Sequence, residues 1–235
     1  MKENKRIFGY VGCGHVGERT LLEMVITAGI DVAYSVVGDH EPFTDLEQIF
    51  PGRVRIVTPE EAAEEGEWLT LLMPFEEHRS LPGDLGSGKP IIDMTNRYTG
   101  QLRAVTEIAG ASTTSSEMIQ RYFKEAKVVK AINNIDYKHF RALARPQAAD
   151  NRTALPIAGD DESAKADVTW LLGRLGFDVV DVGPLREGWR FQPGMSACHI
   201  PYGAGGAEDV RQQPAAPVSA AVLRQILWAS TSCAP

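Results

Sequence analysis

Short apolar runs alternate with longer stretches of helical periodicity along most of the chain. The runs are Ile7 to Val11, Val32 to Val37, Val54 to Val57, Leu69 to Met73, Ile91 to Met94 and Val128 to Ile132. Most are rich in Val, Ile and Leu and apolar throughout rather than alternating, the pattern of strands covered on both faces. Between the first two, Val16 to Ala28 sets Leu21, Leu22, Val25 and Ile26 on one helical face. Pro59 to Gly66 predicts a short acidic helix with Thr58 as its N-cap. Strand and helix in this rhythm predict an α/β fold built on a doubly wound parallel sheet.

A smaller α/β unit is expected after Pro146: a strand from Leu155 to Ala158, a helix from Glu162 to Leu175 and a strand from Val179 to Val182. Gly, Ala, Gln and Pro then dominate from Gly203 to Pro217, which predicts a linker. Val218 to Ala229 returns to helical spacing with Val222, Leu223, Ile226 and Leu227. The expected organisation is a first α/β unit over 1–146, a smaller α/β unit over 147–202, and a linker with a terminal helix over 203–235. The terminal helix must bury its apolar face, either on its own domain or on a dimer partner.

Composition narrows the classes of function. The 235 residues are 43% hydrophobic and 23% charged, as in a globular protein with a packed core. Net charge is −7, which argues against electrostatic binding of nucleic acid. Cys13, Cys198 and Cys233 form no CxxC pair and fit a reducing compartment. No stretch approaches the ~20 apolar residues of a membrane helix, and the N-terminus lacks the apolar run of a signal peptide. A cytoplasmic protein acting on a small molecule is expected.

The strongest local signal is Gly12-Cys13-Gly14-His15-Val16-Gly17. It follows the first strand directly and opens a helix, the context that the Rossmann dinucleotide fingerprint requires. Gly12 permits the tight turn, Gly14 lets the backbone approach a pyrophosphate, and Gly17 lets the helix sit close to the strand. The helix N-terminus then offers amides and a favourable dipole to the anion. Ribose recognition belongs at the end of the second strand, where an acid reads NAD and an Arg favours NADP. Ser35, Val36 and Val37 stand there, followed by Gly38, Asp39 and His40, with no Arg or Lys between Arg19 and Arg53. The choice between NADP and NAD stays open.

Ligands of open α/β sheets bind beyond the C-terminal ends of the strands. Met73, Pro74 and Phe75 end the fourth strand, Thr95 and Asn96 follow the fifth, and Asn133 and Asn134 follow the sixth. Phe75 is suited to wall a nicotinamide ring, and the neutral polar groups suit a ring amide or a carbonyl. Each is equally suited to a turn or cap. Candidate acid–base groups are His15, His78, Lys130, His139 and His199, with Lys130 and His78 the residues to test if the substrate needs a proton. Cys13 beside a helix N-terminus invites thiol acidification, against the plainer role of a small residue in a crowded loop. No Ser-His-Asp order and no metal-ligand spacing is evident.

In the order GCGHVG, LLMPFEEH, IIDMTN, SSEMIQ, KVVKAINNI, LPIAGDDESAK and DVVDVGPLREGWRFQ, the chain resembles the F420-dependent NADP reductases from about Ile7 to Gln192. The resemblance implies nicotinamide and deazaflavin rings face to face in one cleft, with coenzyme F420 as co-substrate. Direct hydride transfer then needs proximity and orientation, and no catalytic side chain is required. It also implies that Gly12, Gly14, His15, Val16, Gly17, Met73, Pro74 and Phe75 hold the nucleotide. Gly159, Asp160, Asp161, Gly183, Pro184 and Leu185 would shape the far wall, and the protein would be a homodimer through its C-terminal half. The family's Ser-Arg pair after the second strand is Ser35-Val36 here, so a charge-assisted contact to the 2′-phosphate, typically about 1.5–3 kcal/mol, is missing. Gly14→Val is expected to abolish binding of NADPH and NADH while far-UV circular dichroism stays unchanged. Normal nucleotide binding by that variant would remove the loop from the site.

Overall fold

The computed structural model describes residues 6–38, 40–96, 113–205 and 210–229. Eight strands join in one sheet: β1 (Ile7–Gly12), β2 (Asp31–Val36), β3 (Val54–Ile56), β4 (Trp68–Leu72), β5 (Pro90–Asp93), β6 (Lys127–Ala131), β7 (Ala154–Gly159) and β8 (Asp178–Asp181). Their order across the sheet is β3-β2-β1-β4-β5-β6-β7-β8. All neighbours run parallel except β6 and β7, which pair antiparallel with Lys130 opposite Ala158. The chain therefore winds outward from β1 in one direction to β3, and in the other through β4 to β6. The later strands β7 and β8 extend that same sheet.

The helices are α1 (Val16–Thr27), α2 (Asp45–Ile49), α3 (Pro59–Glu65), α4 (Ser115–Tyr122), α5 (Tyr137–Leu143), α6 (Glu162–Leu175) and α7 (Ala220–Ala229). Thr58 caps α3 by accepting from the Glu61 amide while the Glu61 carboxylate accepts from the Thr58 amide, the reciprocal arrangement that Thr-x-x-Glu permits. The same device starts α4 with Thr114 and Glu117. α7 packs on β7 and β8 of its own sheet, with Leu223 and Leu227 buried and Val222 and Trp228 exposed.

Two apolar clusters cover the two faces of the sheet. Phe8, Tyr10, Trp68, Ile92 and Val129 join one with α1, α5 and α6. Val11, Leu69, Leu71, Ile91 and Val128 join the other with Ala62 and Ala63 of α3 and Ile119 of α4. Alternate residues of one strand thus serve opposite faces, which is why the strands are apolar throughout.

The same alternation places Lys130. It shares the face of Val128 and is buried with Asp93, which shares the face of Ile91. Lys130 Nζ lies 3.3 Å from Asp93 Oδ2 and donates to the Thr95 carbonyl. Asp93 also accepts from the Thr95 amide at 2.9 Å, the Thr95 hydroxyl at 2.7 Å and the Ser116 hydroxyl at 2.6 Å. A buried carboxylate with these partners locks the end of β5 to α4 and β6, and loss of its cation leaves a charge uncompensated in the interior. Lys130→Met is expected to lower the unfolding free energy by about 3–5 kcal/mol in a denaturant titration. A stability within about 1 kcal/mol of the parent would show that the pair is not structural.

Candidate functional site

Strand order reverses between β1 and β4, and a cleft of about 540 Å3 opens beside that point at the C-terminal edge of the sheet. A ligand crevice is expected there in an open α/β sheet, and the volume lies in the range of small-molecule sites. His15 and Gly17 bound the cleft on the side of α1, Leu72, Met94 and Asn96 come from the ends of β4 and β5, and Ile132 and Asn133 from the end of β6. Asp136, Tyr137 and Lys138 of the α5 start and His199 complete its wall.

The glycine loop connects β1 to α1. Gly14 has φ +72°, and a Cβ there would stand 3.0 Å from the Glu41 carbonyl, so a side chain is excluded twice over. Gly17 lets α1 approach α5: its Cβ would meet Tyr137 Cβ at 3.3 Å. The close approach expected of this glycine is thus between helices rather than between helix and strand. His15 is the N-cap, its Nδ1 accepting from the Gly17 amide at 3.2 Å. Glu18 completes the cap from below. Its Oε1 accepts from the Cys13 and His15 amides at 3.0 Å each, and its Oε2 from the Gly14 amide at 3.2 Å. The donor set of this loop therefore gathers on an anion, here the chain's own carboxylate, and is of the kind that holds a dinucleotide pyrophosphate. Burial pushes the Glu18 carboxyl upward, against the pull of these amides. Burial and the Glu18 charge push the Cys13 thiol up to about 12, so Cys13 is not an acidified thiol.

The remaining residues singled out in the sequence divide between cleft, core and surface. Asn96 and Asn133 meet in the cleft: Asn96 Nδ2 donates to the Asn133 carbonyl at 2.7 Å, and Asn133 Nδ2 to Asn96 Oδ1 and the Phe191 carbonyl, both at 3.1 Å. With its amide nitrogen committed, Asn133 Oδ1 is left buried without a partner among the described residues. Asn134 is buried and structural, donating to the Ala197 carbonyl and the Tyr202 hydroxyl at 2.9 Å each. Ser35, Val37, Met73, Phe75 and Thr95 are buried, while Val36 is half-buried at the tip of β2 and Pro74 is exposed. Val37 is packed in the core cluster with Ala33, Phe75 and Leu85, which keeps it out of reach of a 2′-phosphate. Asp39 lies outside the described residues, and so does the Val16 side chain. His40 and Glu41 pack over Gly14 instead.

Like Met73, Phe75, Thr95 and Asn134, four further residues expected at the cleft lie away from it. Lys130 faces the opposite side of the sheet, for the reason of alternation given above. His78 is buried between Phe75, Tyr122 and Phe123, with Nδ1 against the Phe75 carbonyl, and burial pushes its pKa down. Pro184 is exposed and Leu185 is buried in the second cluster, its amide donating to Asp160 at 2.9 Å, so neither lines the cleft.

Ile132 and Tyr137 line the cleft without having been singled out, and His199, one of the candidate acid–base groups, lines it too. Ile132 carries φ +61°, a left-handed backbone that a β-branched residue rarely adopts. That turn breaks the alternation after Ala131 and brings Ile132 into the same cluster as its neighbour. His199 also has φ +62°, and its amide donates to the Asn134 carbonyl at 2.7 Å. Nothing in a sequence announces a left-handed isoleucine. Glu18 was missed, although His15 and Glu18 have the three-residue spacing of a capping box.

Residues 7–97 match the family described as NADP oxidoreductase, coenzyme F420-dependent. No curated protein matches the chain in sequence. In structure the chain is similar to the hypothetical protein SMa0349 of Sinorhizobium meliloti, with a TM-score of 0.69 and 20% identity over 84% of this chain and 95% of that one. It is also similar to a protein assigned as an F420-dependent NADP reductase from Arthrobacter sp. FB24, with a TM-score of 0.57 and 22% identity over 77% of this chain and 86% of that one. A third likeness is to 3-hydroxyisobutyrate dehydrogenase of Mycobacterium tuberculosis, with a TM-score of 0.52 and 13% identity over 78% and 56%. At these identities the structural likenesses establish the fold. The chain therefore carries a doubly wound α/β fold, and its residues 7–97 match the family of coenzyme F420-dependent NADP oxidoreductases.

Proposed function

We propose that the protein passes hydride between a nicotinamide dinucleotide and the deazaflavin coenzyme F420, with both rings in the cleft beside the glycine loop. The observation that carries this reading is the position of the cleft. It starts at His15 and Gly17 of the loop and runs past the ends of β4, β5 and β6, in a chain whose residues 7–97 match a family described by that chemistry. When bound, the nicotinamide ring supplies or accepts the hydride.

The chain's own residues bind, orient and exclude water. Gly12 to Gly17 and the N-terminus of α1 receive the pyrophosphate. Leu72, Met94 and Ile132 give the cleft an apolar wall that keeps water from the reacting faces. Asn96 and Asn133 offer hydrogen-bonding groups to ring edges, and the unpartnered Asn133 Oδ1 is an acceptor for a ring N–H or carboxamide. Ring-to-ring hydride transfer needs no proton donor, which agrees with Lys130 and His78 lying away from the cleft. Either NADP or NAD serves as the nucleotide: Ser35, Val36 and Val37 present no charge to a 2′-phosphate. A second reading, reduction of another small molecule such as a ketone or imine, is favoured by Tyr137 and His199 on the cleft wall, which are able to deliver a proton. The same proposal takes the protein as cytoplasmic and homodimeric through its C-terminal half, where α7 exposes Val222 and Trp228. Among the described residues no helix is long and apolar enough to cross a membrane.

Anaerobic mixing of the protein with reduced coenzyme F420 and either NADP or NAD tests the reading. Return of the deazaflavin's visible absorbance with at least one nucleotide is the expected result. Absence of turnover with both, in a protein that binds NADPH or NADH, would overturn the deazaflavin assignment in favour of another substrate.

A further inference from the structure

The amides that open α1 already have an acceptor. Glu18 is fully buried beneath the loop, and its two oxygens take the Cys13, Gly14 and His15 amides between them. The Cys13 thiol donates to Oε1 at 3.3 Å. A Cβ at Gly12 would stand 2.0 Å from Oε2, so the first glycine of the motif makes room for this carboxylate as well as for the turn. The Gly17 amide is held by His15 Nδ1 at 3.2 Å. A loop of this type ordinarily turns such donors toward the pyrophosphate of its nucleotide.

We propose that Glu18 sets the affinity of the loop for its dinucleotide: the pyrophosphate binds against a buried like charge that holds the loop's amides, and it binds more tightly when residue 18 is neutral. This rests on the glycine loop being the dinucleotide site. Two like charges roughly 7 Å apart, at an effective dielectric constant of about 20, repel strongly enough to weaken binding about tenfold or more. Protonation of Glu18 relieves the same repulsion. Around the carboxylate stand Tyr10 of β1, Tyr34 of β2 and Cys13 of the loop, with Glu77 of the turn after β4 acting on Cys13. Burial pushes both tyrosines and the thiol upward, so all three stay neutral through the range in which Glu18 titrates. His15 caps the helix from the solvent side, and His40 packs over Gly14.

Glu18→Gln removes the charge and keeps one oxygen to support the loop. Its amide nitrogen no longer accepts from Gly14, which frees that donor for the nucleotide. Dissociation constants for NADPH and NADH are measured by nucleotide fluorescence for the parent and Glu18→Gln at pH 8 and pH 6. The expected result is binding about tenfold tighter in Glu18→Gln at pH 8, with a gap that narrows on lowering the pH to 6, because burial pushes the Glu18 carboxyl toward its neutral form. The ratio between the two proteins cancels the protonation of the nucleotide's own phosphates, which both proteins meet alike. Equal or weaker binding by Glu18→Gln at pH 8, or a gap that widens on acidification, would overturn the inference. Glu18→Ala carries the same comparison if the Gln variant does not fold. Failure of every form, parent and variants, to bind either nucleotide would instead remove the dinucleotide reading of the loop, and the inference with it.

Discussion

Backbone amides at the start of a helix have no partner within the helix and must find an acceptor outside it. In this protein His15 Nδ1 takes the Gly17 amide and Glu18 takes the His15 amide, and the same carboxylate also accepts the Cys13 and Gly14 amides of the turn between β1 and α1. The turn is tight because β1 is a central strand flanked by β2 and β4, and α1 must fold back over it within a few residues. Side chains at Gly12 and Gly14 would collide with Glu18 and with the Glu41 carbonyl. The geometry of the loop, the burial of Glu18 and the mouth of the cleft at His15 and Gly17 follow from this one arrangement.

The sheet carries the rest. Winding in opposite directions from β1 leaves a gap above the strand ends, and the elements after β4, β5 and β6 border it. The antiparallel pairing of β7 with β6 brings the later part of the chain onto the same sheet. There the Asn134 contacts with Ala197 and Tyr202 fasten the segment that delivers His199 to the cleft. The cleft is thus a product of both halves of the chain, although the family match ends at residue 97.

The eight strands were legible because most are apolar runs of β-forming residues, the signature of doubly covered strands, and the edge strands β3 and β8 keep a short core of Val and Ile. α2 and α5 were not, since a helix of five or seven residues shows too little periodicity to stand out. α4 passed unnoticed as a helix although Thr114 and Glu117 cap it. The site was legible where a steric rule fixes the residue, as at Gly12, Gly14 and Gly17, and where a polar group ends a strand, as at Asn96 and Asn133. It was opaque where side-chain direction decides. Lys130 falls on the far face of β6 by alternation, and Ile132 reaches the cleft only because its backbone turns left-handed.

A crystal structure of the protein with NADPH tests the central claim most directly. The account places the pyrophosphate at the N-terminus of α1, over Gly14 and His15, and the nicotinamide in the cleft between Leu72, Met94 and Ile132. A nucleotide bound elsewhere, with the glycine loop still closed on Glu18 and the cleft vacant, would contradict it.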